Sequence, residues 1–103
     1  MKTYPLKTED GELYAFEIPN YFISSSSIAR FIKKVPDCTI IWVRKIFGKS
    51  DIHVQFEYEG ITFEAWEPFG DNSRIHIGPE KEAQEKVILN LEGKFSQAKR
   101  FFW

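Results

Sequence analysis

The first third of the chain changes from the side-chain pattern of a strand to that of a helix. Residues 13–18 (LYAFEI) follow the turn-forming run EDGE and combine aromatic and aliphatic positions, which predicts a strand that Pro19 ends. Four serines come next, and then apolar residues recur at helical spacing: Ile28, Phe31, Ile32 and Val35. A serine is a good cap for the free N–H groups at a helix start. An anion site or phosphorylation site is the alternative for this run, but capping needs no ligand.

The middle of the chain predicts four strands. Residues 39–47 are rich in β-branched and aromatic types and predict a buried strand. Residues 52–58 alternate apolar and polar positions, as a half-buried strand does, and Glu59-Gly60 fits a two-residue hairpin turn before a strand at 61–66. After a loop, residues 74–77 predict the fourth strand of this meander.

The last quarter predicts a long helix. Gly78-Pro79-Glu80 is suited to open it, since proline fits the first helical turn and glutamate favours the positive end of the helix dipole. Its apolar residues keep helical spacing nearly to the C-terminus: Ala83, Val87, Ile88, Leu91, Phe95, Ala98 and Phe102. Gly93 is a weak point. The predicted fold is a single α+β domain over 1–103: an antiparallel β-meander of four to five strands, with one helix in the N-terminal half and one C-terminal helix packed on one face.

Composition supports a folded domain without a strong overall field. The chain is 43% hydrophobic and 17% aromatic, so we expect a packed core. A formal charge of -1 offers no global attraction for nucleic acid or an anionic membrane. The lone Cys38 excludes an internal disulfide and is expected to be a buried, inert thiol. Without a secretory signal or an apolar run of roughly 20 residues, we expect a cytoplasmic protein.

The hairpin between the second and third strands of the meander has a register that the sequence predicts. A two-residue turn at Glu59-Gly60 makes every facing pair on one side apolar: Tyr58 with Ile61, Phe56 with Phe63, and Val54 with Ala65. The opposite side then pairs Glu57 with Thr62, Gln55 with Glu64, and His53 with Trp66.

The next strand extends this outward side. Keeping Ile75 and Ile77 on the core side places His76 near Glu64 and Arg74 near Trp66. Neighbouring side chains on adjacent strands lie roughly 5 Å apart, so these groups are expected to touch.

Three interpretations of the outward side remain open. In the first, it is a solvated sheet face. In the second, it is a recognition face for a protein partner, since Trp and Arg are enriched at binding hot spots. In the third, His53, Glu64 and His76 bind a metal or do acid–base chemistry. The loop before Arg74 extends the second interpretation, although its residues also suit a plain turn. The predicted partner-binding residues are Trp66, Glu64, Arg74, His53, His76, Glu57, Phe69, Asp71 and Asn72.

No sequence motif indicates catalysis, a cofactor or a metal. Nucleotide-binding glycine loops, nucleophile elbows and paired-cysteine motifs are missing from the sequence, so we expect a non-enzyme with no catalytic residue and no bound metal. A small nucleic-acid-binding or regulatory domain is the alternative function. Two basic groups favour it, one at Arg30, Lys33 and Lys34 and one at Lys94, Lys99 and Arg100 beside the aromatic end of the chain. The acidic outward side of the sheet opposes it.

Two runs of this sequence, SSSSIARFIKKVPDCTI and FEAWEPFGDNSRIHIGP, resemble small bacterial toxin-immunity proteins of the contact-dependent growth inhibition type. The resemblance implies a cytoplasmic non-enzyme that binds a toxic nuclease or similar enzyme and blocks its active site. A protein-binding module of this kind is expected to be a monomer when free. An acidic strand face suits that role, because it complements a basic nucleic-acid cleft and speeds association.

Overall fold

The fold is a six-stranded antiparallel sheet with two helices. The computed structural model describes residues 1–45, 51–68 and 73–98. The elements in chain order are β1 (Tyr4–Lys7), β2 (Leu13–Pro19), α1 (Ser25–Lys34), β3 (Cys38–Val43), β4 (Ile52–Tyr58), β5 (Ile61–Trp66), β6 (Arg74–Pro79) and α2 (Glu85–Gln97). The strand order across the sheet is β1-β2-β6-β5-β4-β3. The α+β class and the antiparallel sheet predicted from the sequence are confirmed.

The sheet has one more strand than the upper limit of the prediction, because residues 4–7 form the edge strand β1. Tyr4 pairs with Glu17 and Leu6 with Ala15, and the register shifts before Lys7. Pro5 in the middle of the segment removes a backbone donor, which is tolerated on an edge strand. Four residues with a central proline carry too little periodicity to predict a strand.

Strand β3 is an edge strand rather than the buried strand that its composition predicted. Its only partner among the described strands is β4, with a bulge between Ile40 and Trp42. Ile41 is 52% exposed and Trp42 is 41% exposed, whereas Ile40 and Val43 pack against the core. An apolar run shows that a strand is β-prone, but its place in the sheet depends on the path of the chain.

The serine run caps α1, as the sequence predicted. Ser24 accepts the backbone N–H of Ser27 at 3.2 Å, and the Ser27 hydroxyl accepts the Ser24 N–H at 3.1 Å. Together these bonds form a capping box, which satisfies N–H groups that the first helical turn leaves without partners. Lys33 and Lys34 lie in the last turn, where the helix dipole favours cations.

We expect Ser24→Ala to lower the free energy of unfolding by about 1 kcal/mol, because it removes the side-chain acceptor of the cap. Urea denaturation checks this. Ser26→Ala is the matched control, since Ser26 is an exposed serine in the same run without a capping bond. Equal losses for the two variants would show that the cap contributes nothing specific.

Helix α2 begins later than its sequence suggested. Gly78 and Pro79 belong to β6, where they pair with Glu64 and Phe63, and the helix starts at Glu85. Glu85 accepts the backbone N–H of Leu13 at 2.6 Å and thereby ties the helix start to β2. Gly93 does not interrupt the helix.

Both helices pack on the same face of the sheet. One core cluster joins residues of α1 and α2 to inward residues of β2, β4, β5 and β6. Phe95 of α2 lies at its centre: its ring centroid is 5.3 Å from that of Phe16, 5.7 Å from that of Phe31 and 6.3 Å from that of Phe56. The opposite face of the sheet, which we call the outer face, has neither helix against it.

Candidate functional site

The β4–β5 hairpin places polar side chains on the outer face, largely in the predicted register. Gln55 pairs with Glu64 and Glu57 with Thr62, while Phe56 faces Phe63 on the core side. Glu59 and Gly60 both have positive φ (52° and 77°), as the tight two-residue turn requires. These pairs confirm the hairpin derived from alternation.

The prediction for His53 is wrong. Ile52 pairs with Trp66, and the register shifts between Ile52 and Val54, so His53 occupies a β-bulge. A bulge breaks the alternation of side chains and re-aims one of them. The imidazole of His53 therefore lies beside α1 on the helix side of the sheet, and the residue is only 4% exposed.

His53 joins three elements through a line of hydrogen bonds. Its Nδ1 is 2.7 Å from the Ser25 hydroxyl at the start of α1, and its Nε2 is 3.0 Å from a carboxylate oxygen of Glu67 after β5. With neutral His53, Nε2–H donates to Glu67 and Nδ1 accepts from Ser25. We call this set of three residues the clasp.

Burial keeps His53 neutral, because desolvation lowers its pKa below 6.5 more than the hydrogen bond to Glu67 raises it, and the nearby Arg44 charge lowers it further. Ser25, His53 and Glu67 are the residue types of a hydrolytic triad, but here the serine is buried and the acid is exposed to solvent, the reverse of a working triad. Ser25 is 7% exposed, whereas the Glu67 side chain is 40% exposed. A hydrolase needs the serine at the substrate and the acid behind the histidine. The clasp therefore suits the attachment of α1 to β4 and β5.

On the outer face, the β5–β6 register differs by two residues from the predicted one. Trp66 pairs with His76 and Glu64 with Gly78, so His76 does not face Glu64 and Arg74 does not face Trp66. The rings of Trp66 and His76 have centroids 4.6 Å apart and planes at 42°. This contact holds the indole beside the imidazole.

Gly78 makes room for His76. A Cβ at Gly78 would lie 3.2 Å from Nε2 of His76 and 3.2 Å from the Cβ of Ala15. Among the described residues no hydrogen bond to the His76 ring is found, and burial alone lowers its pKa below 6.5. At neutral pH, His76 is therefore an uncharged flat surface next to Trp66.

Arg74 is held by β1 and β2 instead of by Trp66. Its guanidinium carbon lies 3.4 Å from the ring centroid of Tyr4, and Nη1 is 3.4 Å from Glu17. The stacking and the ion pair fix the guanidinium in one orientation. The sequence offered no signal for Tyr4, because β1 was not recognised.

Carboxylates lie beside the aromatic pair. Gln55 donates to Glu64 at 3.0 Å and to Glu80 at 3.4 Å, and Glu57 is exposed one pair along the hairpin. Among the residues the structure describes, Glu57, Glu64 and Glu80 form no salt bridge. The central part of the outer face is therefore negative, while Arg74 is neutralised by Glu17.

The structure thus brings together five of the predicted residues on the outer face: Trp66, Glu64, Arg74, His76 and Glu57. His53 is on the helix side of the sheet instead, and Phe69, Asp71 and Asn72 lie outside the described residues. Three further residues join it: Tyr4, Glu17 and Trp42, the last through its pairing with Gln55. Trp42 was missed because its strand was taken to be buried on both faces.

The structure does not place His53, Glu64 and His76 together as the metal hypothesis requires. His53 lies on the helix side of the sheet and His76 on the outer face, so the two imidazoles cannot share an ion. Within the described ranges there is no group of three His, Cys, Asp or Glu side chains placed to hold a metal.

Cys38 is half-buried, and burial together with the Asp37 charge raises the pKa of its thiol to about 12. The thiol is therefore uncharged near neutral pH and a poor nucleophile. No helix in the described part of the chain has the length and apolar character to cross a membrane.

Comparison with known protein families, curated proteins and solved structures finds no match to this chain.

Proposed function

We propose that this protein is a non-enzymatic binding module whose outer face recognises a protein partner, and that the partner is a bacterial toxin domain that it neutralises. The observation that carries the proposal is the ordered outer face: Trp66 packed on His76 and Arg74 stacked on Tyr4, with neither helix covering them. Trp, Tyr and Arg are the residue types that dominate binding energy at protein interfaces. Side chains that are already oriented lose less entropy on binding.

The charges of the outer face favour a basic partner. Glu57, Glu64 and Glu80 lack described cationic partners, so opposing lysine or arginine side chains would find unpaired carboxylates. Complementary charge accelerates association and disfavours acidic partners. The same charges disfavour the nucleic-acid alternative, because a phosphate backbone would be repelled by this face.

A toxin that acts on nucleic acid fits this partner chemistry. Its active-site cleft must be basic to hold a phosphate backbone, and an acidic sheet face can cover such a cleft. The proposed role places the protein in the cytoplasm, where such a toxin acts. It also requires no turnover, which agrees with the reversed exposure of the clasp.

Photo-crosslinking in the native host tests the interface. A photoreactive amino acid at position 66 is expected to crosslink one partner, and the same group at position 89 is expected not to. Leu89 is the matched control because it is 55% exposed but lies on α2, on the helix side of the molecule. Equal crosslinking from both positions would contradict the assignment to the outer face.

With the purified partner, we expect Trp66→Ala to weaken binding by about 30-fold or more, corresponding to roughly 2 kcal/mol for a hot-spot residue. Glu64→Lys is expected to slow association and to reduce its dependence on salt. Isothermal titration calorimetry and stopped-flow kinetics measure the two effects. Glu9→Lys, in the exposed β1–β2 turn, controls for net charge.

Unchanged affinity in folded Trp66→Ala and Glu64→Lys variants would remove the outer face from the interface. The neutralising role has its own test, in which the partner is expressed with and without this protein. We expect growth only when the protein is present, and weaker protection from Trp66→Ala. A harmless partner would refute neutralisation while leaving the binding function intact.

A further inference from the structure

The two edges of the sheet differ in how well they are protected from pairing with another strand. An edge strand presents unpaired backbone N–H and C=O groups, and proteins shield such edges with short strands, proline and charged residues. Strand β1 has four residues, a central Pro5 and an exposed Lys7. Strand β3 has six residues, no proline and no charged side chain.

Strand β3 also exposes apolar surface. Ile41 is 52% exposed and Trp42 is 41% exposed, and both lie at the bulge. A bulge commonly protects an edge by twisting it or by presenting a charge, but this one presents two large apolar side chains. Among the described residues no strand pairs with the outer edge of β3, so this edge can accept another strand by β-strand addition.

The charges around β3 are complementary to those of a second copy of this chain in antiparallel orientation. Glu57 and Glu59 lie beside the Cys38 end of the strand, since Thr39 pairs with Glu57 and Cys38 with Tyr58. Arg44 and Lys45 follow the Val43 end. Lys94 also lies near the Cys38 end but is paired with Asp37 at 3.0 Å, so Glu57 and Glu59 leave that end acidic while the opposite end is basic.

In place of the free monomer expected from the sequence, we propose that the protein forms a two-fold symmetric dimer in which the β3 strands of two copies pair antiparallel and join the sheets. Antiparallel pairing brings the Cys38 end of one copy against the Val43 end of the other, so the acidic and basic ends meet twice. Ile41 and Trp42 of both copies lie at the centre of the contact. The contact shares Glu57 and Trp42 with the outer face, whereas Trp66 lies on β5, two strands in from the β3 edge.

Sedimentation velocity on the protein alone tests the dimer. Because edge pairing of short strands buries less area than a standard interface, we expect the mass to rise with micromolar concentration from the 12.1 kDa of one chain towards twice that value. Trp42→Lys is expected to keep the protein monomeric at all concentrations. Ile23→Lys is the control, since Ile23 is 94% exposed but lies outside the sheet.

A charge-swap experiment tests the antiparallel geometry. Lys45→Glu alone and Glu57→Lys alone are each expected to weaken the dimer by about tenfold at low salt, because each places like charges together at both ends. An equimolar mixture of the two variants is expected to recover association, since every introduced charge then meets its opposite.

Three results would overturn the proposal: a wild-type protein that stays monomeric at high concentration, a dimer that persists in Trp42→Lys, or a mixture of the charge variants that fails to recover. None of these assays contains the proposed toxin partner. Failure of the dimer therefore leaves the Trp66 binding test unaffected, and failure of that test leaves the dimer unaffected.

Discussion

Phe95→Ala is expected to lower the free energy of unfolding by about 3–5 kcal/mol, the usual cost of truncating a buried phenylalanine. The Phe95 side chain is fully buried and contacts rings of the other helix and of the sheet: Phe31 of α1, and Phe16 and Phe56 of the sheet. Removing it leaves a cavity where α1, α2 and the sheet meet. A domain of this size has only roughly 5–15 kcal/mol of stability, so the loss is a large fraction of the total.

Chemical denaturation followed by far-ultraviolet circular dichroism measures this loss. Leu89→Ala is the matched control, because Leu89 is an apolar residue of the same helix that is 55% exposed. We expect its effect to be within about 0.5 kcal/mol of zero. A Phe95→Ala loss as small as that of the control would show that α2 does not pack on the sheet through Phe95.

His53→Ala is expected to be the second large effect, at about 2–4 kcal/mol, because the truncation combines a cavity with a lost hydrogen-bond partner at buried Ser25. Ser25 Oγ lies 2.7 Å from His53 Nδ1, and Glu67 holds the other ring nitrogen at 3.0 Å. Without the imidazole, the start of α1 loses its polar attachment to β4 and β5. His76→Ala is the comparison, since His76 is only half-buried and has no described hydrogen bond.

The clasp also makes the stability of the folded protein depend on pH, and the stability is expected to fall on acidification. The pKa of His53 is lowered in the folded protein from its ordinary 6.5, mainly by burial. The unfolded chain therefore binds the proton more readily, and the stability that His53 contributes is complete above about pH 6.5 and is lost as the pH falls through the folded-state pKa. His76 acts in the same direction.

Denaturation midpoints measured between neutral pH and mildly acidic pH check this expectation. We expect the wild-type midpoint to fall as the pH is lowered, and His53→Ala to fall less steeply. A wild-type midpoint that rises on acidification would show that the Glu67 interaction outweighs burial, so that the histidine is charged in the folded protein.

The hairpin of β4 and β5 was predictable because two constraints agreed. A two-residue turn at Glu59-Gly60 leaves one register, and that register puts Phe56 opposite Phe63 with apolar residues on one side only. The register between β5 and β6 was less predictable. A slip of two residues keeps Ile75 and Ile77 on the core side, so side-chain alternation cannot distinguish Trp66 beside His76 from Trp66 beside Arg74. The loop that joins these strands is too long to set the register.

His53 shows that one extra residue in a strand, a β-bulge, is enough to make a prediction from side-chain alternation wrong. A strand of period two places His53 on the outer face, and nothing in residues 52–58 signals the bulge that turns it towards Ser25. The bulge is favoured by contacts with α1 and Glu67, which lie 28 and 14 residues away in the chain. Such long-range contacts exist only once the helix has packed on the sheet.

By itself, the sequence determined the segments that alternate, the capped helix after the serine run, the hairpin register and the presence of an acidic face with Trp66 on it. These features depend on neighbours within a few residues and on the separation of apolar from polar positions. Only the tertiary structure decided the strand order, the addition of β1, the exposure of β3 and the choice of Tyr4 and Glu17 as partners of Arg74. The strand order and the exposure of β3 depend on how α1 carries the chain across the core to the far edge of the sheet, and the partners of Arg74 depend on the pairing of β6 with β2 and of β2 with β1.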